Sequence, residues 1–80
     1  MSYSLSDFHK DLDVGHEFDI KYKNRFYGIS NTDDGISFIR YGYMGDLKTF
    51  KNPDEFINEA SLNEGLLKNL WDDVEIKSIF

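Results

Sequence analysis

There is no cysteine in this 80-residue chain. That removes disulfide scaffolds, thiolate metal sites and cysteine nucleophiles at once. Basic residues are few: nine Lys or Arg stand against 15 Asp or Glu, for a formal net charge of −6. Non-specific nucleic-acid binding needs a net basic footprint, so the overall balance speaks against it. No run of apolar residues approaches the roughly 18 needed to cross a bilayer, so no membrane span is expected. Residues 1–7 carry neither a basic head nor an apolar stretch, so no secretory signal is expected either. There is no internal repeat, no low-complexity stretch and no linker. No Gly-x-Ser-x-Gly elbow is present to hold a nucleophilic serine. The glycines at 42 and 45 lack the Lys-Ser/Thr of a phosphate loop.

What the chain has in quantity is aromatic surface: seven Phe, five Tyr and one Trp. Eighty residues make one domain, 1–80, and a small core gains most from large side chains. Each buried aromatic removes roughly 150–250 Å² from water. The aromatics are therefore read first as core. Dimerisation is the other way for a small domain to bury area, and a homodimer is kept open.

Periodicity supplies the elements. Leu5, Phe8 and Leu12 recur at helical spacing, which predicts a helix over 4–13, with Ser4 or Ser6 as cap and Gly15 as stop. Residues 16–22 alternate, with Phe18, Ile20 and Tyr22 on one side, as in a half-buried strand. Lys23-Asn24 turns the chain into a second strand, 25–30. Gly28 there signals a bulge or a close backbone approach. Residues 31–35 form a turn ending in Asp-Gly, and 36–43 form a third strand. Its adjacent Phe38 and Ile39 suggest the central position, apolar on both faces. Met44 to Asp46 reads as a turn, and 47–51 as a short fourth strand. Asn52-Pro53-Asp54-Glu55 is a helix start with cap, N1 proline and capping-box glutamate, and that helix is expected to end near Ser61. A second short helix is expected over 64–71, and a last strand over 74–80, at a sheet edge or beside the first helix.

The order places the chain in the α+β class. The expectation is an antiparallel sheet of three to five strands. An N-terminal helix and two C-terminal helices cover one face. The predicted core is Leu5, Phe8, Phe18, Ile20, Ile29, Phe38, Phe50, Phe56, Ile57, Leu66, Leu70, Trp71 and Ile76.

Charge is segregated along the chain. Residues 1–20 carry net −4, residues 21–51 net +3 and residues 52–80 net −5. Acidic helices neutralising a basic sheet is one reading. An acidic face meeting a basic partner, or a basic sheet face meeting an anion, is the other.

Chemistry-bearing clusters are sparse. His9 and His16 sit among Asp7, Asp11, Asp13, Glu17 and Asp19, but no third nitrogen ligand exists and the spacing suits solvated surface better than a metal. Asp33-Asp34-Gly35 lacks the alternating acids of a calcium loop and reads as a hairpin turn. Lys21, Lys23, Arg25 and Arg40 interleave with Tyr22, Phe26, Tyr27, Tyr41 and Tyr43. From these, Arg25, Arg40, Tyr41 and Tyr43 are taken as a candidate interaction surface able to stack and to hold anions. No catalytic residue, metal ligand or cofactor site is assigned.

The Glu17-Phe18-Asp19-Ile20 strand, the Tyr22-x-x-x-Phe26-Tyr27 hairpin, the capped Asn52-Pro53-Asp54-Glu55-Phe56 helix and the segment Gly65-Leu66-Leu67-Lys68-Asn69-Leu70-Trp71 together give the chain a recognisable layout. It resembles short bacterial proteins of unknown function, chiefly from Gram-positive bacteria and their mobile elements. The resemblance covers residues 16–76. It implies a cytoplasmic bacterial protein and carries over no activity, ligand or catalytic residue.

The expected function is a small cytoplasmic, non-enzymatic protein-interaction module with an unidentified protein partner. Two alternatives stand beside it. One is nucleic-acid binding, or acidic mimicry of nucleic acid. The other is a small ligand-binding domain or enzyme, which requires a pocket with convergent polar groups.

Overall fold

The computed structural model describes residues 3–42 and 47–80. Helix α1 runs Leu5–Asp13, with the Ser4 hydroxyl accepting the Asp7 amide as its cap. Strands β1 (Phe18–Tyr22), β2 (Arg25–Thr32), β3 (Gly35–Arg40) and β4 (Lys48–Phe50) follow. Helix α2 is Pro53–Glu59, capped by the Asn52 side chain on the Glu55 amide at 2.8 Å. Glu55 reaches back to the Lys51 amide at 2.8 Å, which completes a reciprocal arrangement at that end. A small hairpin, β5 (Ser61–Leu62) and β6 (Gly65–Leu66), leads into helix α3 (Leu67–Leu70) and a 3₁₀ turn, Trp71–Asp73. Strand β7 (Glu75–Ile79) ends the fold.

The five main strands pair antiparallel in the order β4-β3-β2-β1-β7. Lys23 and Asn24 both hold positive φ, 49° and 63°, which suits a tight hairpin between right-twisted strands. Strand β2 is therefore central, not β3 as the apolar pair at 38–39 suggests. Phe38 faces the core, while Ile39 lies half-buried on the other side. The last strand takes the edge beside β1, with a register shift at Asp19/Ile20.

Alternation sorts the side chains. Phe18, Ile20 and Tyr22 of β1 face inward with Tyr27 and Ile29 of β2 and Ile36 and Phe38 of β3. The helices pack on that face. Phe8 meets Phe18 edge-on at 4.7 Å between ring centres and Trp71 at 4.5 Å. Phe56 meets Phe38 and Phe50 edge-on at 5.4 and 5.3 Å. Burying each such ring contributes roughly 1.5–3 kcal/mol, and this aromatic chain is what a cysteine-free domain of this size relies on. The Trp71 indole donates to the Tyr3 carbonyl at 2.9 Å, so the buried ring is satisfied at its polar atom.

The α+β architecture is as expected, but several boundaries differ. The first strand starts at Phe18, and the second continues through Thr32. Helix α2 stops at Glu59. The second C-terminal helix begins only at Leu67, because residues 61–66 form the hairpin. Leu5, Phe50, Ile57, Leu70 and Ile76 flank the core rather than fill it, and Leu66 is only half-buried in the hairpin. Leu12, Tyr22, Tyr27, Ile36, Ala60, Leu62, Leu67 and Val74 are buried in addition. The turn expected at Met44–Asp46 lies outside the described residues.

Candidate interaction surface

The helices leave one face of the sheet uncovered. Residues of β1 to β3 that point away from the core converge there. Phe26 and Tyr41 sit opposite each other, the Tyr41 amide donating to the Phe26 carbonyl at 2.9 Å. Both are large and open, 44 % and 50 % exposed. Ile39 pairs with Gly28 beside them. Lys21 places its ammonium 5.6 Å from the centre of the Phe26 ring.

Gly28 explains how Tyr41 lies. A side chain at 28 would overlap the Tyr41 hydroxyl, so only glycine lets the ring settle across β2. The hydroxyl then donates to Asp19 Oδ1 at 2.7 Å on β1. That hydrogen bond, aided by partial burial and the carboxylate charge, holds the Tyr41 phenol above its ordinary pKa. Three strands are thus tied by one side chain on the open face. The remaining charges of this face are of both signs. Lys77 pairs with Glu75 at 2.9 Å and holds its carboxyl below the ordinary range.

Arg25 and Arg40 lie elsewhere. Arg25 stands opposite Tyr22, and Arg40 opposite Tyr27, so both point to the helix side of the sheet. Arg25 grips Glu64 of the β5–β6 turn with two bonds of 2.5 and 2.6 Å. This ion pair raises the guanidinium pKa and lowers that of Glu64. The Arg25 Nε is buried without a hydrogen-bond partner, and the guanidinium packs 5.8 Å from the Tyr22 ring centre. Arg40 lines a cavity of about 160 Å³ with Tyr27, Phe38, Lys48, Ser61, Leu62 and Asn63. Arg40 and Tyr27 each have a further interaction of their own.

The four residues named from the sequence therefore do not form one surface. Tyr41 belongs to the open face, Arg25 and Arg40 to the opposite side, and Tyr43 lies outside the described residues. Phe26 and Lys21 are what the structure brings to Tyr41. The histidines also separate. His9 pairs with Asp54 of α2 at 2.6 Å, and His16 bonds the Phe80 carbonyl at 2.9 Å. Among the described residues no group of three His, Asp or Glu is gathered in metal-binding proximity. No described helix is long and apolar enough to cross a membrane.

The helical segments hold the charge. Asp7, Asp11, Asp13, Asp54, Glu55, Glu59, Asp72 and Asp73 stand on them against Lys10 and Lys68. That balance equals the net −6 of the whole chain. The rest of the sequence is neutral in sum.

No protein-family model matches this sequence, and no match was obtained with curated proteins or with solved structures.

Proposed function

We propose that the chain is a small cytoplasmic, non-enzymatic interaction module that docks a protein partner on the open face of its sheet. The observation that carries this reading is the pair Phe26 and Tyr41, exposed side by side on a face no helix covers. Aromatic side chains held rigidly at the centre of a patch are what interface hot spots are made of. The Tyr41–Asp19 bond fixes one of them in advance, which lowers the ordering cost of binding.

Charge defines the partner. The face mixes Asp19, Lys21, Glu75 and Lys77 in balance, while the acidic helices point away behind the sheet. The matching surface is therefore apolar at its centre and near neutral at its rim.

Tagged wild-type protein and the double variant Phe26→Ser, Tyr41→Ser would be used to capture partners from the native cells, with and without nuclease. Both substitutions sit on exposed positions, and the melting temperature checks that the fold is kept. The expected result is one stoichiometric, nuclease-resistant protein that binds the variant at least about 30-fold more weakly, as for loss of a hot spot worth about 2 kcal/mol. Equal capture by the variant would overturn the assignment of this face. Capture of nucleic acid alone would overturn the protein-partner reading. A chain that captures only its own copies, with the variant monomeric by light scattering, would make the face a homodimer interface.

A further inference from the structure

The shape of the open face narrows what can dock on it. Tyr41 starts just past the end of β3, yet its hydroxyl reaches Asp19 on β1. That path crosses β2, two strand spacings of roughly 4.8 Å each. A phenol covers it only by lying along the sheet. Its hydroxyl end rests over Gly28, where an added Cβ would overlap it. One side of the ring is thus turned to the sheet and the other to solvent, and half of the residue is exposed. Phe26 lies between Lys21 and Tyr41 in one cross-strand row, with the Lys21 ammonium 5.6 Å from its ring centre. Ile39, half-buried opposite Gly28, fills in beside them. The charges around the rings cancel: Asp19 and Glu75 stand against Lys21 and Lys77.

The recurring ways of holding a peptide differ in what they need. Strand addition needs a free sheet edge, and Phe26 lies on the central strand. Helix docking needs a long apolar groove, and here Asp19 and Lys21 flank the two rings. Acidic or phosphorylated segments need clustered arginines, and Arg25 and Arg40 point to the helix side. A proline-rich segment needs aromatic rings fixed in place, which this face supplies. We propose that the partner segment docked here is an uncharged, proline-rich stretch in the polyproline II conformation. The inference rests on the docking reading and names the partner's chemistry. Proline rings pack on Phe26 and on the outward side of Tyr41. The polyproline II helix is preformed, so binding orders it little. Its carbonyls have no internal partner, and Lys21 beside Phe26 carries ammonium donors for one of them. The Tyr41 hydroxyl already donates to Asp19, so that ring acts as a fixed platform rather than as a donor.

The test is an NMR titration of isotope-labelled protein with an end-blocked proline decamer, and in parallel with an end-blocked Gly-Ser decamer. Saturable shifts are expected with the proline peptide alone, at the amides of Phe26, Gly28, Ile39 and Tyr41. Phe26→Ser and Tyr41→Ser, as single variants, should each weaken binding about tenfold, the scale of a lost interface anchor. Both positions are exposed, and either variant tests the site if the other disturbs the fold. Lys10→Gln, on α1 behind the sheet, should leave binding unchanged. No saturation by the proline peptide, or equal saturation by both peptides, overturns the inference, even where capture shows a partner on this face. The docking reading is judged separately, by that capture. Proline binding undiminished in both Phe26→Ser and Tyr41→Ser overturns the inference as well.

Discussion

Gly28 is where one missing side chain decides the surface chemistry of the domain. A glycine inside a strand signals close approach, and that much is legible in the sequence. The approaching group is a side chain, the Tyr41 hydroxyl, rather than backbone. Nothing local marks Tyr41 as its neighbour, because β2–β3 register decides the pairing. Gly28→Ala should push the ring off β2 and break the bond to Asp19. The expected outcomes are a Tyr41 phenol returned towards its ordinary titration range and a stability loss of about 1 kcal/mol. Ultraviolet titration of the tyrosines and a denaturant melt would read both. An unchanged titration would mean the ring keeps its place without the glycine. The split between Arg40 and Tyr41 has an equally local cause. Successive residues of a strand point to opposite faces, so these two cannot share a surface once β3 forms through position 40.

At the level of elements, the strongest signals were chemical ones. The cap at Asn52, the proline after it and the returning Glu55 place the start of α2 at one residue. Asn52→Ala should cost about 1 kcal/mol, and so lower the melting point by about 4–8 °C for a domain of this size. Thermal unfolding by circular dichroism would show it. A shift under one degree would mean that Glu55 alone secures that end. The hairpin at 61–66 was hidden for the opposite reason. Leu62, Leu66, Leu67 and Leu70 fall at helix-like intervals, and that period masks the turn. What decides is Gly65, held at φ 148°, a conformation few other residues reach. Reading residues 64–71 as helix hides that hairpin, and with it the wall that Ser61, Leu62 and Asn63 give to the cavity beside Arg40.

Over the whole molecule, the separation of charge by layer is the property that sequence counting approached most closely. Segment sums showed acidic ends and a basic middle. The structure turns that into an acidic helical layer on five sheet strands that carry Lys21, Arg25, Arg40, Lys48 and Lys77 against Asp19 and Glu75. Crowding eight carboxylates on three short helical pieces is self-repulsive. Raising ionic strength from 0.01 to 0.15 M shortens the screening length from about 30 to about 8 Å. The melting temperature should therefore rise with sodium chloride over that range. A fall would show that ion pairs such as Arg25–Glu64 outweigh the repulsion.

The place of β7 bears on how the chain comes to be folded during its synthesis. Strand β1 borders β2 on one side, and its other neighbour is β7, which is translated long after it. Glu17 and Phe80 exchange both backbone bonds, and the Trp71 indole reaches a carbonyl 68 positions earlier. Pairings over such separations raise contact order and postpone their reward until the intervening loop has closed. On the ribosome, the β1–β2–β3 meander can form early, but α1 has no completed seat until Trp71 and β7 have left the exit tunnel. The domain thus becomes native in a late step, when β7 pairs with β1.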